Sequence, residues 1–582
     1  MRTTVLMVAL AVAGCSGEIG NPEGSGGLNP SNSTGSTGAG TTGAGTATGG
    51  TSTGTMTGTG TSGTPPVESP SPRFVRQLTL SEYQNTVADL LFLANPDTTA
   101  IPPDVLMKGY TTNVAGAFVD ETHLDAYVSV GSALANRAVT ESYAKLVPCQ
   151  TQDAACAGAF LDKFGVRAFR RPLTADEKTR YLKYFDASLT GGSFKTGVSL
   201  AIWGMLSSLH FLFRTELGDD ASGVFKLNPY ETASALSYAY WGTMPDDALF
   251  ASAQSGALAN KTEIEGQARR LLGDPRGRAR IATFFSEWTE APRAYVATKD
   301  PATFPALFKD PGGQNVFVDA MKAEADAFIT SVVFDSTKKY SELFTANYTF
   351  ANDRLAGYYG LPLPGTGEKT TKVALKAGSA RGGLLTLGMF LFGHGRANQS
   401  SPVQRGHLIR ANMLCTDVPP PPPNVDATVK PGTPGNTGRE QIEALTSSGG
   451  ACPTCHGLMN PIGFGLEGFG GAAEERTMDN GEPVDTTGAL NGFTDASGAT
   501  IKFDGARELS NLLANNPDAQ ACLATNYHRY TRGYLANDID AGAVVKLGRD
   551  FVGRNLDMPE LFVGIALQDS FTARRSVEVF NQ

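Results

Sequence analysis

The chain has 582 residues, a formal net charge of −9 and 41% apolar side chains. That length allows three or four domains with packed cores, and the acidic balance argues against a nucleic-acid partner, which needs a basic face. No internal run of about 18 apolar residues occurs, which excludes a transmembrane helix beyond the N-terminus.

The chain opens MRTTVLMVALAVAGC, with basic Arg2, an apolar stretch from Val5 to Val12 and small residues before Cys15. This is the pattern of a signal peptide, too short to span a bilayer. The ending VAGC resembles the bacterial lipobox. That resemblance implies a lipid anchor on Cys15, and Ser16 in place of Asp then points to the outer membrane. Residues 16–72 are almost entirely Gly, Ser, Thr and Pro. Such a segment buries too little apolar surface to offset its ordering entropy. It reads as a disordered tether with a mean span of about 40 Å.

From Arg73 onward the chain reads as mainly helical. Three helix starts carry one capping chemistry: Thr79 with Glu82, Thr174 with Glu177, and Asn228 with Glu231 behind Pro229. In each, the cap side chain and the acid three residues later can satisfy each other's backbone N–H groups. Further helices are expected at 120–145, 158–170, 176–188, 195–215, 262–290, 317–345, 381–393 and 403–415. PPPPP at 419–423 must be extended and marks a boundary; 432–438 reads as loop. PVDTTGAL and GATIKFDG read as two short strands, after which 505–535 returns to helix.

Two polar clusters invite a functional reading. Arg167, Arg170 and Arg171 could bind a phosphate or an acidic glycan, but arginines around a helix end ordinarily satisfy carbonyls and pair with nearby acids. His394 and His407 stand on no recognisable ligand spacing. Outside the tether the chain carries no nucleophile elbow, no phosphate-cradling glycine loop and no two-histidine zinc helix.

Seven cysteines are present: Cys15, Cys149, Cys156, Cys415, Cys452, Cys455 and Cys522. With Cys15 assigned to lipid, six remain in an oxidising compartment. Cys149 and Cys156 are close enough for a local disulfide, and Cys415 with Cys522 forms the separated pair. Cys452 and Cys455 are left for ACPTCHGLMNPIGFGLEGFG (451–470).

C-x-x-C-H is the sequence form of covalent haem attachment. Two thiols meet the vinyl groups and the adjacent histidine becomes the proximal iron ligand. The alternatives are a zinc half-site, a redox dithiol and a plain disulfide. Zinc needs a second ligand pair that the chain lacks. A dithiol expects a β-α-β setting, whereas this stretch is glycine-rich and reads as helix-poor. A disulfide leaves His456 without a role. The opposite axial position stays open. Met459, three residues on, would share a helical face with His456 and reads as packing. Met478, His528, Met413 and Met558 are weak distal candidates, and five-coordinate iron is a further possibility.

With these residues in view, the chain resembles a family of large exported bacterial proteins, frequent in planctomycetes and myxobacteria. They combine planctomycete cytochrome C type domains with domains of unknown function. The resemblance is carried by RQLTLSEYQNTVADLL (76–91), FGVRAFRRPLTADE (164–177), LNPYETASALSYAYWGTMPDDALF (227–250), YTFANDRLAGYYGLP (348–362), RGGLLTLGMF and SPVQRGHLIRANMLCTDVPPPPPNV (within 381–425), CPTCHGLMNPIGFGLEGF (452–469) and CLATNYHRYTRGY (522–534). Asn460 and Gly470 stand where the family pattern has Asp. The resemblance implies a cytochrome-c-like segment and one covalent haem c, and names no reaction.

The fold expected is mostly α: a multidomain helical body with a cytochrome-c-like haem segment and a minor β hairpin, preceded by the tether. The expected division is signal peptide 1–15, linker 16–72, then units 73–145, 146–218 (holding the local disulfide), 219–345, 346–475 (holding the motif) and 476–582. The function expected is a lipid-anchored c-type haem protein for electron transfer, held in the cell envelope as an outer-membrane lipoprotein facing periplasm or cell surface. Its partner would be a redox protein, a small molecule or a polysaccharide, with no nucleic acid and with membrane contact through the lipid alone. The alternatives are a haem oxidoreductase with an open distal side, such as a peroxidase or dehydrogenase, and a non-catalytic, glycan-binding surface lipoprotein.

Overall fold

The computed structural model describes residues 67–219, 223–418, 433–447, 452–533 and 541–576, and of Ser188 and Cys452 the backbone alone. The signal segment, Cys15, nearly all of the tether and the proline run at 419–423 lie outside these residues. Helices dominate, and the sheets are small and scattered. No helix among the described residues is long and apolar enough to cross a membrane.

Local chemistry sets the helix starts. Thr79, Thr174 and Asn228 each accept from the backbone of Glu82, Glu177 and Glu231, and each acid reaches back to its cap. Glu82 also pairs at 2.8 Å with buried Arg280, so one carboxylate caps a helix and ties it to another. The single helix expected over 262–290 is two helices, Lys261–Gly273 and Pro275–Trp288. Pro275 has no N–H to continue the ladder, and Asp274 caps the new start by accepting from Arg276 N.

Two apolar cores form. One gathers the helices between Leu78 and Leu212, with Tyr238 added from the helix Pro229–Tyr240 and Met244 from the loop after it. The larger runs from Leu227 to Phe571, with Tyr110 added. Near its N-terminus the chain meets its C-terminal end: Ser71–Pro72 lies parallel to Ala573–Arg575, which pairs antiparallel with Val224–Lys226. The expected hairpin is present, with its first strand later than PVDTTGAL: Thr487–Thr494 pairs with Thr500–Asp504.

Both local and long-range cysteine pairs are bonded. Cys149 and Cys156 lie 5.8 Å apart at Cα, and Cys415 and Cys522 lie 5.4 Å apart. The second bridge sits in a polar knot. Asn526 Nδ2 donates to the Asn412 and Cys522 carbonyls, while its Oδ1 accepts from Tyr110 Oη. Trp288 Nε1 donates to Asn412 O, and Asn412 Nδ2 donates back to Trp288 O.

Candidate haem-attachment site

The motif stretch, expected to be helix-poor, is a 13-residue helix, Cys452–Phe464. Its glycines and Pro461 are poor helix formers, so tertiary contacts must hold it. Two are backbone to backbone. A Cβ on Gly406 would lie 2.0 Å from Met459 O, and one on Gly463 would lie 1.9 Å from Pro402 O. Glycine at both places lets the helix Pro402–Leu408 cross the motif helix at a distance other residues forbid. Pro461 has no N–H for the Gly457 carbonyl one turn earlier. That carbonyl accepts instead from Asn491 Nδ2 of the hairpin, at 2.7 Å.

The turn that follows is held from the same side. Arg405, fully buried, donates to the carbonyls of Leu466, Phe469 and Gly470. Burial lowers its pKa to about 10. Glu467, also buried, accepts from Ser400 Oγ and pairs with Arg476 at 2.7 Å. The sequel GFGLEGFG thus serves mainly to seat the helix: Leu466 and Phe469 enter the larger core, and Gly463 permits the crossing.

Only the C-terminal half of the motif helix is buried. Met459, Asn460, Ile462, Gly463 and Phe464 are enclosed. Pro453 and Thr454 are exposed, while Cys455, His456, Gly457 and Leu458 are half-buried, and Cys455 is a free thiol. Apart from its chain neighbours and its own helix backbone, no atom of the described residues lies within 4 Å of the place a Gly457 Cβ would take. Leu445, on the adjoining helix Gly438–Thr446, is 38% exposed. His456 Nδ1 lies 3.1 Å from Asn460 Oδ1, and Asn460 Nδ2 donates to Thr446 Oγ1 at 3.0 Å.

The distal candidates are dispersed. Met459 is 6% exposed and packs inward, as its place one turn from His456 led us to expect. Met413 and Met558 are enclosed in the larger core. His528 is fully enclosed on the helix Pro517–Arg532. Met478 is half-exposed. Its neighbour Asp479 accepts from Gly438 N, the start of the helix whose other end, Thr446, meets Asn460. About 12 Å of helix therefore separates the two ends.

The other polar clusters have structural work. Arg170 donates to the carbonyls of His210, Phe211 and Phe213, Arg171 pairs with Glu177, and Arg167 pairs with Asp247. His394 is buried, with Nδ1 on Phe390 O; His407 is exposed. Two cavities, of about 20 and about 100 Å³, lie away from the motif, lined respectively by residues such as Phe285 and Ile329, and Gln77 and Tyr127. Among the described residues no three His, Cys, Asp or Glu side chains converge as a protein metal cage.

Sequence reasoning missed Thr446, Asn491 and Arg405 as supports. Asn460 could have been found, since it lies one helical turn after His456, but only once the stretch was taken as helix.

The fold is that of a mostly helical protein whose C-x-x-C-H segment opens a helix fastened into the larger core. Four family descriptions match in chain order: PSD3, protein of unknown function (DUF1587), over 76–140; PSD5, protein of unknown function (DUF1595), over 156–216; PSD4, protein of unknown function (DUF1592), over 227–361; and PSCyt3, protein of unknown function (DUF1588), over 381–479. The chain belongs to the planctomycete cytochrome-type multidomain family that these domains make up, and the cytochrome-type domain spans Cys452, Cys455 and His456. No curated protein and no solved structure matches the chain.

Proposed function

We propose that the chain is a lipid-anchored, extracytoplasmic c-type haem protein that passes electrons. One observation carries the reading: a C-x-x-C-H motif on the half-exposed end of a helix whose other end is fastened into the core. Cys452 and Cys455 would hold the haem through thioether bonds, and His456 Nε2 would ligate the iron. Haem c supplies a one-electron Fe(III)/Fe(II) couple when bound. Two features support the fit. Asn460 occupies His456 Nδ1 and leaves Nε2 as the nitrogen for the iron. Near it in the chain, half-buried Leu458 and the uncrowded flank of Gly457 supply apolar, open surface, and Leu445 on the adjoining helix is partly exposed.

Cys15 would carry the lipid, residues 16–72 would tether the body to the outer membrane, and two disulfides suit that oxidising setting. The partner would be a redox protein, or a small-molecule or polysaccharide substrate.

The test is a pyridine haemochrome spectrum of protein made with the haem-ligation machinery. Covalent haem should be present in the wild type and lost in Cys452→Ala with Cys455→Ala. No haem in the wild type would overturn both redox readings and leave a surface-binding module. Rapid carbon monoxide binding to the reduced protein would favour an oxidoreductase over an electron carrier.

A further inference from the structure

Thr446, Asn460 and His456 form a line of hydrogen bonds whose direction is set by its first member. The Thr446 hydroxyl has one hydrogen, and it goes to Ile442 O at 2.7 Å, four residues back in the same helix. Towards Asn460, 3.0 Å away, that oxygen can only accept. The amide nitrogen of Asn460 must face it, so the amide oxygen faces His456 Nδ1 at 3.1 Å. A carbonyl oxygen only accepts, so Nδ1 carries the hydrogen and Nε2 carries the lone pair. The opposite amide orientation would require the hydroxyl to leave Ile442 O and donate to Asn460 Oδ1, and would set an N–H against a bare Nδ1. Asn460 is 4% exposed, so its amide is satisfied by these two partners and not by water, and the bond from Thr446 to Ile442 O selects between the two orientations.

We propose that Thr446 and Asn460 are positioning residues: together they fix the His456 tautomer and set how strongly its Nε2 donates to the haem iron. The inference rests on the haem reading for its second half, while the tautomer stands by itself. A neutral amide draws on the Nδ1 hydrogen less than a carboxylate would. A carboxylate there makes the imidazole a stronger donor, favours Fe(III) and lowers the potential; an apolar residue does the reverse and frees the ring to turn.

Two measurements on the full chain test this. The first is ¹⁵N NMR of histidine-labelled protein without haem, at a pH where His456 is neutral, with His456 assigned by its loss in His456→Gln. The wild type should show the Nδ1–H tautomer, Thr446→Val should lose it, and Thr446→Ser should restore it. A wild-type Nε2–H tautomer, or no change in Thr446→Val, overturns the inference whatever the haem content.

The second is a spectroelectrochemical titration of haem-loaded protein. Asn460→Asp should shift the midpoint potential down, Asn460→Leu up, and Thr446→Ser should match the wild type. Loaded variants with one common potential would overturn the tuning role and leave the haem reading intact. A wild type that takes no haem would overturn the haem reading and with it the tuning role. Helix content by circular dichroism separates these shifts from misfolding, which would not move Asn460→Asp and Asn460→Leu in opposite directions.

Discussion

Gly406 and Met459 meet backbone to backbone: a Cβ on Gly406 would lie 2.0 Å from the Met459 carbonyl oxygen. No rotamer change relieves such a contact, because both sides are main chain. Gly406→Ala should therefore push the helices Pro402–Leu408 and Cys452–Phe464 apart. We expect a loss of about 2–4 kcal/mol, at the upper end of overpacking costs, read as a lower urea midpoint. Covalent haem yield should fall with it, since the same crossing positions His456. A variant as stable as the wild type would show that the helices do not cross this closely.

Glu216 is the carboxylate at the centre of a buried arginine cluster, with Arg76 and Arg214 each 3.7 Å away and Arg574 in direct contact. Burial works against its ionisation, but Arg574, Arg76 and Arg532 more than reverse that and hold its carboxyl far below the ordinary range. These arginines come from distant parts of the chain, Arg76 near one end and Arg574 near the other. Glu216→Gln removes the compensating charge and leaves the arginines buried together. The expected cost is about 3–5 kcal/mol. A loss below about 1 kcal/mol by chemical denaturation would mean that the cluster is hydrated or rearranges.

The two disulfides should differ in worth. In the chain-entropy picture, the bridge spanning 107 residues contributes about 4.8 kcal/mol and the one spanning seven about 2.5. Cys415→Ala with Cys522→Ala should thus lower stability roughly twice as much as Cys149→Ala with Cys156→Ala. The contacts of the Asn526 knot add to the first loss. Paired unfolding curves decide the order, and equal losses would show that loop length is not what matters here.

What could be read from the sequence was the chemistry that acts over a few residues. Thr79, Thr174 and Asn228 cap their helices because each partner acid lies three residues away. The hairpin is legible in part: the second strand, Thr500–Asp504, lies within GATIKFDG, while the first, Thr487–Thr494, runs four residues beyond PVDTTGAL. The split at Pro275 was visible in the pair Asp274–Pro275, but an unbroken apolar period on both sides concealed it. The motif helix could not be read this way. Its glycines and Pro461 oppose helix locally, and what overrides them comes from afar: Pro402 and Gly406, Asn491, and Arg405 reaching three carbonyls. For the same reason the sequence named His456 but not its support. Thr446 becomes its neighbour's partner only after two helices have packed.

Asp104 offers a test through pH. Both its carboxylate oxygens accept from Leu80 N, the first N–H of the helix Leu80–Leu91, at 2.8 and 3.0 Å. That bond favours the ionised form, yet burial outweighs it, with help from Glu82, and raises the pKa from 3.8 to about 6. A folded-state pKa above the unfolded one means that the folded chain binds the proton more tightly. The stability gained is complete below pH 3.8 and is lost as pH rises through about 6. Asp104→Asn keeps a carbonyl oxygen for Leu80 N–H and cannot ionise. The variant should gain on the wild type as pH rises from 4 to 7, by about 1–2 kcal/mol after discounting for partial exposure. The quantity to follow is the difference between the two urea unfolding curves at each pH, which cancels the other acids. Parallel pH profiles would show that Asp104 ionises without penalty and that its carboxylate is open to water.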